Sequence, residues 1–387
     1  PVPFTCAESI FKGQVESKYA NRHVIHGRSA TVTKPGFKGR APCHYCGHCG
    51  RVCNVAASFS SAGVLLPIAQ NTGNLTTRTN AVVWKVTTDK ENRAKSIVFI
   101  DRVTRQVEEV YGKVIVVGAG TLDTARILLN SKNEEYPDGL ANSSGVLGKY
   151  FCEQIMAGDI TGLIPRLKGN KNRGGDARPE GGGIYIPRFR NLKEKRKDFV
   201  RGYGFEGGGG SSEFPGFARK IPGFGAHFKE EVKNYYATVV SIGSFGEVVP
   251  RAENHVEIDP VVRDAWGIPV LKFEVQWGPN EMAMARDAIG TQHEMFKKAG
   301  IEIISERTTP LPPGWSIHSA GTARMGNNPK TSYLNKFNQS HDIKNLFVTD
   351  ASCFLNSTEK NPTLTILALS LRAADYIAEQ MRKGEFA

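Results

Sequence analysis

The 387-residue sequence contains no apolar run that approaches the roughly 18 residues needed to cross a bilayer. Hydrophobic residues make up 40% of the chain and charged residues 23%, which is an ordinary globular composition. The sequence therefore predicts a protein without a membrane span. It is also long enough to bury a large core in two domains or in one two-lobed unit.

A secretory signal is also lacking. The sequence begins PVPFTCAESIF, without a basic segment followed by an apolar one, so a signal peptide is either absent or already removed. These first residues leave the cellular compartment undetermined.

No signature of a nucleic-acid-binding fold accompanies the basic net charge of +12. The basic residues are dispersed, and the clusters, such as RFRNLKEKRK, are short. This pattern indicates a solvated surface, with an acidic redox partner as the second interpretation. Nucleic acid is not predicted as a partner.

The full dinucleotide-binding pattern GxGxxG is missing from KVIVVGAGTLDTARILLNS, because Asp123 stands where the third glycine would be. The segment still predicts a strand, a turn at Gly118 and Gly120, and a helix. The first N–H groups of such a helix suit an anion. On this segment alone, a plain glycine turn is favoured over a phosphate site.

Alternating apolar residues predict strands on both sides of the middle of the chain. Residues 78 to 117 contain RTNAVVWKVTTD, AKSIVFIDRVT and QVEEVYGKVIVVGAG, which predict a small antiparallel unit feeding a buried strand. Two later strands are predicted at ENHVEIDP and IPVLKFEVQW. A helix is predicted at NEMAMARDAIGTQHEMFKKAG, ended by Gly300.

Residues 167 to 227 are rich in glycine and arginine. Such a stretch predicts either disorder or irregular loops over a binding cavity. Interleaved aromatic residues favour ordered loops: Tyr185, Phe189, Tyr203, Phe205 and Phe217.

The C-terminal third has the strongest chemical signal. A single histidine, His318, stands in the apolar segment GWSIHSAGTARMG. An isolated histidine is more often a core residue, but a neutral imidazole is also the natural proton acceptor near pH 7. IKNLFVTDAS predicts a buried strand ending at Asp350. NPTLTILALSLRAADYIAEQMRK predicts a buried helix with Asn361 as its N-cap and Pro362 at its first position.

Four of the seven cysteines are crowded into APCHYCGHCGRVCN. The spacing C-x2-C-x2-C-x3-C is that of a bacterial ferredoxin run, except that Asn54 replaces the proline after the last cysteine. Iron–sulfur ligation is favoured over a site without metal and over zinc, which usually takes its ligand pairs from separated knuckles. It is also favoured over disulfides, which would be strained in so short a loop. The candidate ligands are Cys43, Cys46, Cys49 and Cys53, whereas Cys6, Cys152 and Cys353 are predicted to be ordinary buried cysteines.

Five segments, in order along the chain, resemble the glucose-methanol-choline (GMC) oxidoreductases, which bind FAD and oxidise alcohol groups. They are VIVVGAGTLDTARILLNS, SSGVLGKYFCEQ, EVVPRAENHVEIDPVVRDAWGIPV, HSAGTARMG, and LFVTDASCF with NPTLTILALSLRAAD. The cysteine cluster, the RFRN segment after GGGIYIP and the form of HSAGTARMG are most similar to the bacterial sugar and glycoside dehydrogenases. The resemblance implies an α/β (α+β) fold, with a Rossmann-like FAD-binding lobe and a substrate domain built on an antiparallel sheet.

One departure from the family concerns the cofactor. Family members carry GxGxxG near the N-terminus and this sequence does not, so the FAD-binding lobe is expected to be incomplete and to lack its N-terminal segment. The implied domains are a cysteine-cluster segment linking the lobes (1–60), a first part of the FAD-binding domain (61–150), the substrate domain (151–320) and the C-terminal part of the FAD-binding domain (321–387).

The resemblance also implies roles for individual residues. It places the proton acceptor at His318 and a group that orients the substrate hydroxyl at Asn361, whose amide cannot act as a base. The helix that begins at Pro362 would stabilise negative charge on reduced flavin. The implied FAD-binding residues are Val82, Gly118, Gly120, Asp350, Ala351, Asn361, Pro362 and Thr363. The cysteine run would hold a [3Fe–4S] or another iron–sulfur cluster.

Together these features predict an FAD-dependent dehydrogenase that oxidises a CH–OH group of a sugar, glycoside or polyol. Its electrons would pass through the cluster to a cytochrome or a small partner subunit, and by family analogy the protein would lie in the periplasm. Two alternatives are a non-catalytic metal-binding or interaction protein derived from the family, and a GMC enzyme that acts on simple alcohols.

Overall fold

The computed structural model describes residues 2–37, 39–46, 49, 53–169, 183–210 and 216–386. The chain forms two compact units. The first comprises residues 1–77, 156–246 and 282–311, and the second comprises residues 78–155, 247–281 and 312–387. The fold is mixed α/β with antiparallel sheets, as the sequence predicts. The four-domain division made from the sequence remains a prediction.

Helices and short helical turns are distributed along the whole chain. None of the helices in the described ranges is both long enough and apolar enough to cross a membrane. Single turns of π or 3-10 helix lie at Ser61–Leu65, Pro165–Leu167, Gly216–Lys220 and Ala351–Cys353. The α-helices are α1 (Cys6–Lys18), α2 (Leu66–Gln70), α3 (Thr121–Asn130), α4 (Gly225–Tyr235), α5 (Pro279–Lys298) and α6 (Thr363–Arg382).

Thirteen strands are found in the described residues, and they form four sheets. They are β1 (Ile25–His26), β2 (Ala81–Thr88), β3 (Ala94–Asp101), β4 (Val107–Tyr111), β5 (Ile115–Val117), β6 (Ile155–Leu163), β7 (Ile184–Ile186), β8 (Tyr203–Gly209), β9 (Val239–Gly246), β10 (His255–Arg263), β11 (Pro269–Glu274), β12 (Glu302–Arg307) and β13 (Leu346–Val348).

The first unit is built on a six-stranded sheet in the order β1-β7-β8-β9-β6-β12. Helix α1 begins with a capping box, in which the Thr5 side chain accepts from the Glu8 N–H and the Glu8 carboxylate accepts from the Thr5 N–H. The other Glu8 oxygen accepts from the Gly209 N–H at 2.9 Å. One buried carboxylate thus both caps α1 and attaches the helix to β8.

The glycine-rich segment is more regular than predicted. The prediction of irregular loops is wrong for β7 and β8, where Tyr203 and Phe205 are fully buried. Glycine is required at position 207, because a Cβ there would lie 2.0 Å from the Ser241 carbonyl oxygen on β9. Residues 170–182 and 211–215 of the segment lie outside the described residues.

The second unit contains the predicted antiparallel unit, confirmed as β2-β3-β4. Its other sheets are the hairpin β10-β11, on the two predicted strands, and the parallel pair β5-β13. Apolar residues of β5, β13 and α3 share one core that includes Ile115, Val117, Leu128, Leu346 and Val348. The predicted strand, glycine turn and helix are therefore confirmed, with the turn at Gly118–Gly120 directly after β5, in which Ile115 and Val117 are buried and Val116 is exposed.

Helix α6 is not the buried helix that its apolar density predicts. Among its residues only Ala373 is buried. Leu364 is 70% exposed and Leu371 is 65% exposed. Apolar density shows that a helix has a face to cover, but it does not show what covers that face.

Candidate active site

The candidate site is built on two segments of the second unit that lie antiparallel to each other. Backbone hydrogen bonds join Cys152 to Ala320 in both directions, at 3.0 and 2.7 Å, and the Gln154 N–H donates to the Ile317 carbonyl. Between these pairs, His318 has φ +64, in the left-handed region that residues other than glycine rarely adopt. Such strain costs on the order of 1–3 kcal/mol and is typical of functional sites.

The imidazole of His318 is held from both sides. Its Nδ1 lies 2.8 Å from Oε1 of Gln154, and its Nε2 lies 3.5 Å from Nδ2 of Asn361. The Ser357 hydroxyl donates to the His318 carbonyl oxygen at 3.1 Å. The structure therefore brings together the two residues predicted to be catalytic, His318 and Asn361, and adds Gln154.

Asn361 does not cap α6, so that part of the prediction is wrong. The N-cap position is Pro362, one residue later than predicted, and no side chain of the described residues bonds the first N–H groups of α6. The Asn361 amide is directed instead to His318 and to Lys360, whose Nζ donates to Asn361 Oδ1 at 2.7 Å. The start of α6 at Thr363 thus lies beside the histidine with its N–H groups free of side-chain caps.

Asp350 is buried, and its carboxylate is saturated by internal donors. One oxygen accepts from the Gly120 N–H at 3.0 Å and from the Thr124 hydroxyl, and the other accepts from the N–H and hydroxyl of Ser352. Asp350 therefore joins the β5-α3 turn to the turn after β13. The role of Asp350 in FAD binding, which the family resemblance implies, remains a prediction.

The remaining predicted FAD-binding residues divide into two groups. Gly118 and Gly120 are exposed in a turn that opens onto α3, which no side chain in the described part of the protein caps. The hydroxyl of Thr121, the first residue of α3, donates to the Ser319 carbonyl oxygen at 2.7 Å, which places this turn next to His318. Ala351 is attached to the same region, since its carbonyl accepts from the Gly321 N–H.

Val82 lies elsewhere in the second unit. It is half-buried in β2, opposite Ile100, in a sheet separate from β5 and β13. The structure therefore groups seven of the eight predicted cofactor residues around two uncapped helix N-termini. That arrangement fits a flavin dinucleotide, because its pyrophosphate and the negative charge of its reduced ring both suit a helix N-terminus.

A buried acid lies directly before Gln154. Glu153 is 1% exposed, and its carboxylate accepts from the Gly314 N–H at 2.7 Å. Burial raises its pKa to about 7, although the Gly314 and Ser316 N–H groups oppose the rise. Glu153 thus holds the loop that leads into His318.

The four clustered cysteines lie in the first unit and line one small cavity of about 10 Å³, with His44 and Ser58. Two of the sulfurs accept backbone hydrogen bonds, Cys43 from the Tyr45 N–H at 3.3 Å and Cys53 from the Ser58 N–H at 3.5 Å. The Ser58 N–H lowers the pKa of Cys53. Among the described residues, no group of three or more acidic, histidine or cysteine side chains has the arrangement of a metal site.

All seven cysteines are described, and none forms a disulfide. Cys152 and Cys353 are buried as predicted, and burial raises the pKa of each thiol to about 12, so both are inert. The prediction for Cys6 is wrong, because it is exposed at the start of α1.

Sequence reasoning missed Gln154, Glu153 and Trp315. The segment SSGVLGKYFCEQ resembles a family motif, but the resemblance implies no role for its last two residues. An acid and an amide side by side in the apolar context FCEQIMAG were the available signal, because buried polar side chains need partners. Trp315, three residues before His318, is 76% exposed and has no comparable signal in the sequence.

Comparison with known proteins identifies the family of related sequences. Two family models, both described as GMC oxidoreductase, match residues 250–370 and 20–153. A 2-methyl-1,2-propanediol dehydrogenase from Mycolicibacterium austroafricanum is 32% identical over 310 residues, which cover 78% of this chain and 54% of the relative. The fructose dehydrogenase large subunit from Gluconobacter japonicus is 29% identical over 357 residues, 90% of this chain and 62% of the relative. The chain thus spans 54% and 62% of the length of these two relatives.

Among solved structures, pyridoxine 4-oxidase from Mesorbium loti superposes with a TM-score of 0.56. The match covers 97% of this chain and 71% of the oxidase at 16% sequence identity. At this level of identity the similarity supports the fold alone.

Proposed function

Because the chain belongs to the GMC oxidoreductase family, we propose that the protein is an FAD-dependent dehydrogenase that oxidises a CH–OH group of a sugar, glycoside or polyol. The observation that carries the proposal is the set Gln154, His318 and Asn361 at the uncapped start of α6. Such a set can remove a hydroxyl proton beside a helix N-terminus that favours negative charge.

Oxidation of the alcohol removes one proton from oxygen and one hydride from carbon. His318 accepts the hydroxyl proton as the carbonyl forms, and Asn361 donates an N–H to the same oxygen and orients it. FAD, when bound, supplies the two-electron acceptor for the hydride that leaves the carbon. The first N–H groups of α6, at Thr363 and after, offset the negative charge that hydride transfer creates.

The surroundings of His318 favour a ring-shaped substrate. The Trp315 indole is 76% exposed, and Ile317 and Phe273 of the same unit are 40% and 42% exposed. Trp315 is three residues from His318, so their Cα atoms lie within about 11 Å of each other. An exposed indole offers a flat apolar face and a polar N–H, which suits the apolar face and hydroxyl rim of a sugar ring. The relatives act, by their names, on both a sugar and a small diol, and Trp315 supports the sugar.

We also propose that Cys43, Cys46, Cys49 and Cys53 hold an iron–sulfur cluster that passes electrons to an external carrier. Their shared cavity, the N–H bonds to Cys43 and Cys53, and the lowered pKa of Cys53 support thiolate ligation. A cytochrome or a small partner subunit would receive the electrons.

Anaerobic reduction of the flavin tests the proposal. The protein, loaded with FAD, is mixed with glucose, fructose, gluconate and 2-methyl-1,2-propanediol while the flavin absorption band is followed. We expect at least one sugar to bleach the band, and His318→Asn to slow the bleaching by about 10²–10⁴-fold with FAD still bound. His293→Asn, on the surface of the first unit, is the matched control and should keep the wild-type rate. A His318→Asn rate equal to the wild-type rate would show that another group takes the proton.

A further inference from the structure

Gln154 neither takes nor gives the transferred proton, yet its side chain is in hydrogen-bond contact with Nδ1 of His318. We propose that Gln154 is a positioning residue that fixes the tautomer of His318, so that Nδ1 carries the proton and the lone pair of Nε2 faces the substrate. This inference rests on the proposed function, since it assigns the base to one atom of His318.

The orientation of the Gln154 amide is settled by its second contact. Its Nε2 donates to the Thr358 carbonyl oxygen at 2.5 Å, which leaves Oε1 on the His318 side at 2.8 Å. A flipped amide would place Oε1 against the Thr358 carbonyl, with two acceptors facing each other. Gln154 is 1% exposed, so water cannot relieve that repulsion.

An amide oxygen can only accept a hydrogen bond, so the nitrogen that it faces must donate. Nδ1 of His318 therefore carries a proton, and in the neutral imidazole Nε2 is then the acceptor. The backbone supports the same arrangement, because the Gln154 N–H donates to the Ile317 carbonyl at 3.2 Å. Gln154 thus sets both the direction and the protonation of the ring.

The opposite side of the ring has a matching fixed amide. Lys360 Nζ donates to Oδ1 of Asn361, which turns the Asn361 Nδ2 group toward Nε2 of His318 at 3.5 Å. Nε2 of His318 can accept a hydrogen bond from an alcohol hydroxyl, and Nδ2 of Asn361 can donate one to the oxygen of the same hydroxyl. A hydroxyl placed there would donate its proton to Nε2 and accept from Nδ2 in one step.

A neutral partner at Nδ1 also affects basicity. A carboxylate in the same place would favour the imidazolium form, so His318 would stay protonated to higher pH and would be unable to accept a proton there. We therefore expect Gln154→Glu to raise the lower pH limit of flavin reduction by about one unit or more. Gln154→Leu keeps the volume but removes the acceptor, so it should lower the rate at every pH without shifting that limit.

Two measurements test the inference. The first is the pH profile of anaerobic flavin reduction by the best sugar in wild type, Gln154→Glu and Gln154→Leu. Gln339→Glu is the matched control, because Gln339 is another buried glutamine of the second unit, and its Nε2 donates to the Lys344 carbonyl. The control should leave the pH limit unchanged. An unshifted limit in Gln154→Glu would overturn the inference.

The second measurement does not depend on turnover. The ¹⁵N spectrum of histidine-labelled, FAD-loaded protein, with the His318 signals assigned by their loss in His318→Asn, reports which ring nitrogen carries the proton. Protonated Nδ1 in wild type, with loss of that preference in Gln154→Leu, is expected. Protonated Nε2 in wild type would overturn the inference. If no sugar reduces the flavin, the proposed function fails, but this spectrum still decides the role of Gln154.

Discussion

Replacement of Glu153 by glutamine should stabilise the protein above neutral pH. The Glu153 carboxyl is 1% exposed, and burial raises its pKa from the ordinary 4.5 to about 7. The folded protein therefore binds this proton more tightly than the unfolded chain does. As the pH rises from about 4.5 to about 7, the unfolded chain loses the proton first, so the free energy of unfolding falls across this range and is constant above it.

The magnitude follows from the same two values. The two pKa values differ by about 2.5, and a pKa difference of one corresponds to ~1.4 kcal/mol. Ionisation of Glu153 therefore costs the folded state about 3 kcal/mol. Glu153→Gln removes the charge but keeps an oxygen that can accept from the Gly314 N–H at the present 2.7 Å. We expect the variant to match wild type near pH 4.5 and to exceed it at pH 8 by about 1–3 kcal/mol.

Guanidinium unfolding at several pH values between 4.5 and 8, followed by tryptophan fluorescence, measures this difference. Glu134→Gln is the matched control, because Glu134 is an exposed acid of the same unit, and it should show no comparable pH-dependent gain. A Glu153→Gln variant that is less stable than wild type at pH 8 would refute the reasoning. It would mean that the ionised carboxylate, through Gly314 and Ser316, stabilises the loop by more than its burial costs.

Three further predictions concern other parts of the molecule. Asp350→Asn places an amide N–H against internal donors, so it should destabilise the protein by about 2–4 kcal/mol in the same unfolding assay. Equal stability of the variant and the wild type would contradict the role of Asp350 in joining the two turns. Trp315→Ala should raise the KM for ring sugars about 10-fold and leave the KM for 2-methyl-1,2-propanediol unchanged, whereas Trp315→Phe should retain most of the affinity for sugars. Equal effects of Trp315→Ala on both substrates would exclude stacking of the sugar on the indole. Cys43→Ser should lower the iron content per chain and slow electron transfer to an external acceptor, while sugar still reduces the flavin. An unchanged iron content would exclude the cysteine cluster as the iron site.

Local patterns in the sequence predicted the elements that local physics determines. Strands β2, β3 and β4 follow from alternating apolar residues, and the turn between β5 and α3 follows from its glycines. Strand β8 was missed, because its glycines are required by the backbone of β9, which lies more than 30 residues away. Periodicity contains no information about such a contact.

The candidate site shows the same division: the residues that lie in local motifs were predicted, and the residue whose role depends on a long-range contact was not. His318 and Asn361 lie in recognisable motifs, and the structure brings them together. Gln154 is separated from His318 by 164 positions, and its role depends on a hydrogen bond that only the folded chain forms. The exposure of α6 was not predictable either, because hydrophobicity describes the helix and not its neighbours.

The bond between Gly120 and Asp350 has a consequence for biosynthesis. The two residues are 230 positions apart. Strand β5 likewise cannot form its parallel pair until β13, the strand that ends just before Asp350, has been synthesised. At about 5–20 residues per second, a ribosome needs roughly 10–50 s to complete the intervening chain. During that time Ile115 and Val117 lack their final partners, and the nascent second unit exposes an unpaired apolar strand that a chaperone can bind.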